Sequence, residues 1–209
     1  MPAYAVLGAQ WGDEGKGKVI DFLAKDADIV ARFAGGNNAG HTVINDLGSF
    51  SFHLVPCGVF WPQTVNVIGN GVVVDPDVLI DEFDGLGRHG FNFEERLVLS
   101  ERVHLIMPYH VALDNLAEKA RGRDALGTTG KGIGPAYSDK ALRNGIRAAD
   151  LLDLDSLYPR LEKVAKYSND IIEKIYGADP LPLDWLFEKC KAWGERLIGV
   201  IGPGEKIVS

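Results

Sequence analysis

The chain has 209 residues, 46% of them apolar and 24% charged, the proportions of a globular chain and not of a disordered or collagen-like one. With 22 Lys and Arg against 29 Asp and Glu, its formal net charge of −7 disfavours general binding to nucleic acid or anionic membrane, while leaving room for a local basic pocket. No apolar run approaches the roughly 18 residues of a membrane span, no basic leader precedes the first apolar segment, and Cys57 and Cys190 form no CxxC pair, so two reduced thiols in a cytoplasmic protein are expected.

Glycine is the compositional anomaly, at 25 residues, and its clusters follow strand-like segments. Tyr4–Leu7 reads as a strand ending in Gly8, with Gly12, Gly15 and Gly17 behind it. A helix follows over 19–24, with a buried stripe expected at Val19, Ile20, Leu23 and Ala24. Residues 28–33 form a second strand that runs into Gly35-Gly36-Asn37-Asn38-Ala39-Gly40-His41. Strand, glycine loop, helix and strand make the first unit of a mostly parallel α/β sheet flanked by helices. Further strands are expected at 50–55, 65–68 and 97–99, with Gly69-Asn70-Gly71 as a break. A helix opens at Asp75-Pro76, the aspartate as N-cap and the proline at the first helical position, and runs to about Leu86. Another spans about 109–121 and leads into a second glycine-rich stretch, 127–135. From Leu154 the apolar residues Leu157, Leu161, Val164, Ile171, Ile172 and Ile175 recur at helical spacing, and 183–198 forms a last helix before a possible strand near the end. Residues 1–152 are therefore expected to carry the chemistry, with 153–209 a helical segment of the same domain. The ending at Gly202–Ser209 reads as a cut.

Three loops carry candidate chemistry. Gly12-Asp13-Glu14-Gly15-Lys16-Gly17-Lys18 matches the first seven positions of the phosphate-loop pattern GxxxxGK and fails the eighth, where Val19 replaces Ser or Thr. Glycines let backbone N–H groups converge on an anion, and the helix start behind them adds positive charge. With the usual hydroxyl ligand missing, Asp13 is the candidate oxygen ligand for a metal. Asn38-Ala39-Gly40-His41-Thr42 follows the next strand and is expected at the same sheet edge, so that Asp13 and His41 could serve one substrate as base and acid. Gly127–Tyr137 supplies Thr128, Thr129 and Lys131 as a further cradle, with Arg143 and Arg147 close behind. His53, His89, His104 and His110 are read as structural.

Five stretches together resemble adenylosuccinate synthetase: 8–18, Asn38–Thr42, Gly69–Val73, Tyr109–Asp114 and Gly127–Tyr137, in the family's order across roughly residues 3–152. The resemblance implies a phosphate-loop NTPase-like fold and a ligase that joins IMP to L-aspartate at the expense of GTP, with Mg2+, through 6-phosphoryl-IMP. It implies Asp13 as base toward N1 of IMP and as metal ligand, His41 as acid, and Lys16 on the phosphoryl groups. Gly12 to Lys18 with Gly40, His41 and Thr42 would hold GTP. Asp13 to Lys16 with Asn38, Ala39, Gly40, His41 and Thr129 would hold IMP. The Gly40 carbonyl would be the second metal ligand. Arg143 would reach the site of a neighbouring subunit, which implies a homodimer.

The family's guanine-recognising and aspartate-binding stretches do not occur before Ser209, so this chain by itself is expected to be inactive. Three rival readings stand beside this one: a viral-type relative, a non-catalytic nucleotide switch, and a folding unit with no function of its own. The viral relatives that aminate a guanine deoxynucleotide tend to lack an aspartate at the position of Asp13, which is present here. A non-catalytic nucleotide switch usually has the hydroxyl that Val19 replaces.

Overall fold

The structure is a computed structural model that describes residues 2–9, 14–38, 40–45 and 48–209. In chain order the elements begin with α1 (Lys16–Ala24), β1 (Ile29–Arg32), β2 (His41–Asn45), β3 (Gly48–Phe52), β4 (Val65–Ile68), β5 (Val73–Val74) and α2 (Pro76–Arg88). They continue with β6 (Leu97–Ser100), β7 (His104–Leu105), α3 (Pro108–Arg121), α4 (Ile133–Leu142), α5 (Leu154–Lys174), α6 (Leu183–Leu197), β8 (Ile201–Gly202) and α7 (Gly204–Val208). The central sheet has the order β1-β4-β6-β8, all parallel. β2 and β3 form a separate antiparallel hairpin in which His41 pairs with Phe52, and β5 pairs with β7 in parallel.

The expected α/β architecture holds, and its strongest local signals become elements close to their expected bounds. Asp75 caps α2 by accepting the N–H of Asp77 (3.1 Å) and of Val78 (3.3 Å), a cap of the kind worth about 1 kcal/mol. The buried Leu79, Phe83 and Leu86 of α2 face the same core as Leu97 and Leu99 of β6. α5 is one 21-residue helix, and its stripe Leu157, Leu161, Val164 and Ile172 joins that core together with Leu186, Trp193 and Leu197 of α6. Ile175 falls outside the helix and is exposed. Both cysteines are free and buried, and burial pushes each thiol up to about 12, so neither is a nucleophile at neutral pH.

Four expectations are corrected. Residues 4–7 form no strand: Tyr4 is 82% and Leu7 71% exposed, and among the described residues β1 is the edge strand on that side of the sheet. Their residue types suit a strand, but a strand persists only where a neighbour completes its hydrogen-bond ladder. α1 begins at Lys16, three residues before Val19, and its apolar stripe is thinner than expected, with Ala24 buried, Ile20 half-buried, Val19 47% and Leu23 41% exposed. Residues 133–137, read as the end of the third loop, belong to the helix α4 (Ile133–Leu142), where a proline in the first turn forfeits no helical hydrogen bond. The strand expected near the end is only β8, and α7 follows it.

Buried His104 on β7 sets a pH dependence. Burial, then the charges of Lys140, Arg147 and Arg160, push its pKa down to about 4. Between that value and the unfolded value near 6.5 the unfolded chain binds the extra proton, so stability rises with pH in this window and falls as pH drops through it. From pH 7 to about pH 5 this group alone should remove about 2 kcal/mol. Urea unfolding of the chain and of His104→Asn at both pH values should show a flatter dependence in the variant, and equal slopes would contradict the assignment.

Candidate active site

The first loop leads into α1. Gly15 precedes the helix at φ 81°, a left-handed conformation that side chains resist, and its carbonyl accepts the N–H groups of Lys18 and Val19 as the first turn closes. Lys16 and Glu14 form an ion pair, and Lys18 is exposed. Gly12 and Asp13 lie outside the described residues, as does Ala39 of the second loop. α1 packs against β2 and against the 3-10 turn Cys57–Phe60. Three hydrogen bonds tie the end of α1 down, from the Trp61 indole to the Asp21 carbonyl (3.2 Å) and from the Thr64 hydroxyl to the carbonyls of Ala24 (3.2 Å) and Ala27 (2.9 Å).

The second loop leaves the carboxyl end of β1 and is fastened by buried charge. The Arg32 guanidinium donates to the carbonyl of Gly36 (2.6 Å) and to that of His53. On the other side of residue 53, the Glu82 carboxylate of α2 accepts the N–H groups of His53, Leu54 (3.2 Å) and Val55 (2.9 Å). Burial pushes the Arg32 pKa down, and the charge of Glu82 opposes the shift. Asn37 is buried, Asn38 and Gly40 are exposed, and His41 and Thr42 begin β2 and so lie in a strand where a loop was expected. A Cβ on Gly40 would stand 3.1 Å from Nε2 of His53. The imidazole thus lies against the loop backbone, and His53, read as merely structural, borders the site.

The third loop joins the second. Lys131 Nζ donates to the carbonyl of Asn37 (2.7 Å), so one donor of the ammonium expected to face a ligand instead bridges the two loops. The Tyr137 hydroxyl accepts the N–H of Gly35 (2.9 Å) and donates to the carbonyl of Gly71 (2.8 Å). Gly71 belongs to the turn after β4, so the loops following two adjacent parallel strands meet on one tyrosine. Thr129 is exposed. Beneath the loop, His110 accepts the N–H of Met107 at Nδ1 (3.0 Å) and hydrogen-bonds Asp139 Oδ2 through Nε2 (3.0 Å). The backbone donor makes Nδ1 the bare nitrogen, and burial keeps the ring neutral against the pull of Asp139. His110 is therefore structural, as expected, and pins α3 to α4.

Arg143 ends α4 at φ 62°, the one non-glycine residue with positive φ among the described residues, and its side chain is exposed. Chain geometry alone would favour glycine at this position.

Among the described residues no group of three or more His, Cys, Asp and Glu is placed to hold a metal. What the loops offer is backbone N–H groups, lysines and hydroxyls, the equipment of a phosphate cradle. Glu82 and Arg32 carry no sequence signal as site residues, because each acts on backbone far away in sequence, and Tyr137 is marked only as the end of the third loop.

The adenylosuccinate synthetase family model matches residues 5–209. The adenylosuccinate synthetase of Dehalococcoides mccartyi is 53% identical over 197 residues, covering 94% of this chain and 46% of that protein. The one from Halothermothrix orenii is 50% identical over 192 residues, 92% of this chain and 45% of that protein. The solved structure of fully ligated adenylosuccinate synthetase from Plasmodium falciparum superposes with a TM-score of 0.84 at 33% identity, over 97% of this chain and 46% of its own. This chain thus spans about half the length of the relatives it matches. Loops gathered at one end of a parallel sheet, and a family match across nearly every residue, lead to one assignment: the chain belongs to the adenylosuccinate synthetase family.

Proposed function

We propose that this chain carries the phosphate-binding and IMP-activating half of an adenylosuccinate synthetase acting in the cytoplasm. The observation that carries the reading is the joining of the second and third loops through Lys131 and Tyr137, beyond the carboxyl ends of β1 and β4. Ligands of open α/β sheets bind at that position. In this reading residues 1–152 hold the reacting groups, and α5 and α6 support them from the same domain.

The chemistry must turn O6 of IMP into a leaving group. Asp13 takes the N1 proton, and the electron pair released makes O6 nucleophilic. O6 then forms a bond to the γ-phosphorus of GTP as GDP leaves, with His41 donating a hydrogen bond to the transferring phosphoryl group and Lys16 balancing its charge. The amine of L-aspartate then adds at C6 and phosphate departs. Asn38 and Thr129 hold IMP, while Gly12 to Lys18 and Gly40 to Thr42 cradle phosphates. The Asp13 carboxylate and the Gly40 carbonyl are hard oxygen donors. Such a sparse pair suits Mg2+, which takes most of its ligands from substrate phosphates and water and, when bound, neutralises phosphate charge. A side chain at Gly40 would press on the His53 imidazole, 3.1 Å from where its Cβ would stand, so glycine keeps the backbone beside that ring uncrowded.

Titration calorimetry of this chain tests the reading. IMP should bind weakly, GTP and ATP should bind with similar weak affinity, and no adenylosuccinate should form, because groups that read guanine and aspartate are not among the candidate residues. GTP binding tens of times tighter than ATP, or no binding of IMP, would contradict it.

Arg143 completes the IMP site of a second copy in a homodimer. Its left-handed backbone costs a non-glycine residue about 1–2 kcal/mol, of which the greater freedom of an unfolded glycine offsets about half. Arg143→Gly should therefore raise the melting temperature of the chain by about 2 °C. Built into a complete synthetase, it should raise KM for IMP far more than KM for GTP. An equal rise in both would count against the role, and a lower melting temperature against the strain.

A further inference from the structure

We propose that Asp114 and Glu118 of α3 are positioning residues that latch the 126–132 loop against the helix and so present Thr129 to IMP. This rests on the reading of the third loop given above. The two carboxylates lie one helical turn apart on the same face, and both oxygens of each are engaged. Glu118 accepts the N–H groups of Leu126 (3.3 Å), Gly127 (2.9 Å) and Thr128 (3.3 Å). Asp114 accepts the Thr128 hydroxyl (3.1 Å) and the N–H of Gly132 (2.9 Å). Asn115 between them donates to the carbonyl of Gly130 (3.1 Å). Thr129 is thus bracketed by fixed neighbours on both sides while its own side chain stays exposed.

The latch does not carry the fold. α3 and α4 are already joined by the His110–Asp139 hydrogen bond (3.0 Å) and by the apolar cluster in which Val111 of α3 meets Ile133 and Ala136 of α4. The loop itself is largely exposed, and without the two carboxylates its glycines would leave it free to sample many conformations. Partial desolvation works against the Glu118 charge, but the Arg121 guanidinium (2.6 Å) and the three backbone donors outweigh it and hold the carboxyl below the usual carboxylate range. The Glu118 carboxylate is therefore charged at any pH near neutrality.

Glu118→Gln keeps the size of the side chain but turns an amide N–H2 toward backbone donors, and Asp114→Asn does the same at Gly132. In each variant of the 209-residue chain, hydrogen exchange at the amides of Gly127, Thr128 and Gly132 should quicken. IMP affinity in calorimetry should fall about tenfold, the cost of re-ordering one freed residue. GTP affinity should stay within about twofold and melting within about 2 °C, values a general loss of structure would not preserve. Unchanged exchange, or IMP and GTP weakening together, would overturn the latch. Failure of the unsubstituted chain to bind IMP would instead overturn the functional reading, and the exchange data would then judge the latch by themselves.

Discussion

Glu82→Ala is expected to destabilise the chain by about 3–5 kcal/mol, and so to lower its melting temperature by on the order of 10 °C. Few single changes outside the apolar core should cost more. The carboxylate is buried, and it is the acceptor for the backbone N–H groups of His53, Leu54 and Val55. Truncation leaves those donors buried without a partner and removes the negative charge that opposes desolvation of Arg32. Because Arg32 also holds the Gly36 carbonyl, the damage should spread to the second loop. Calorimetric melting checks the magnitude, and a variant that melts within about 2 °C of the parent would show that the network is worth little.

The second large effect concerns chemistry. In a complete synthetase built by joining this chain to the remaining half of the Dehalococcoides mccartyi relative, Asp13→Asn should lower turnover by about 10²- to 10⁴-fold, the usual worth of a general base. The amide keeps the shape and one acceptor but cannot take the N1 proton. IMP affinity should change by less than about tenfold, since most of the proposed contacts with IMP remain. Single-turnover rates and IMP titration separate the two quantities. A variant with nearly parental turnover would remove Asp13 from the role.

Where a segment carries its own signal, the fold was readable in the sequence. The helix after Asp75-Pro76 announces its start through its cap, and Leu157, Leu161 and Val164 announce a face. β4 and β6 are short apolar runs between turn residues, buried in a parallel sheet. Tyr4–Leu7 has the same look and forms no strand, because strand formation depends on a neighbour that composition does not reveal. The β2–β3 hairpin is only half legible for a related reason, since the glycines before His41 and Thr42 suit a loop as well as the start of a strand.

The candidate site divides the same way. Glycine clusters and their spacing mark the candidate loops, because a phosphate-binding backbone needs residues without side chains. What fastens the loops was not readable. Arg32, Glu82, Asp114, Glu118, Lys131 and Tyr137 act on carbonyl and N–H groups that any residue possesses, so their partners leave no trace in the sequence.

The most direct test is complementation of activity. This chain joined to the remaining half of the Dehalococcoides mccartyi synthetase, then supplied with IMP, GTP, L-aspartate and Mg2+, should release adenylosuccinate and phosphate in equal amounts, as followed by chromatography, while neither half alone yields product. A joined protein that is folded and dimeric yet forms no adenylosuccinate would contradict the assignment of the IMP-activating half to these 209 residues.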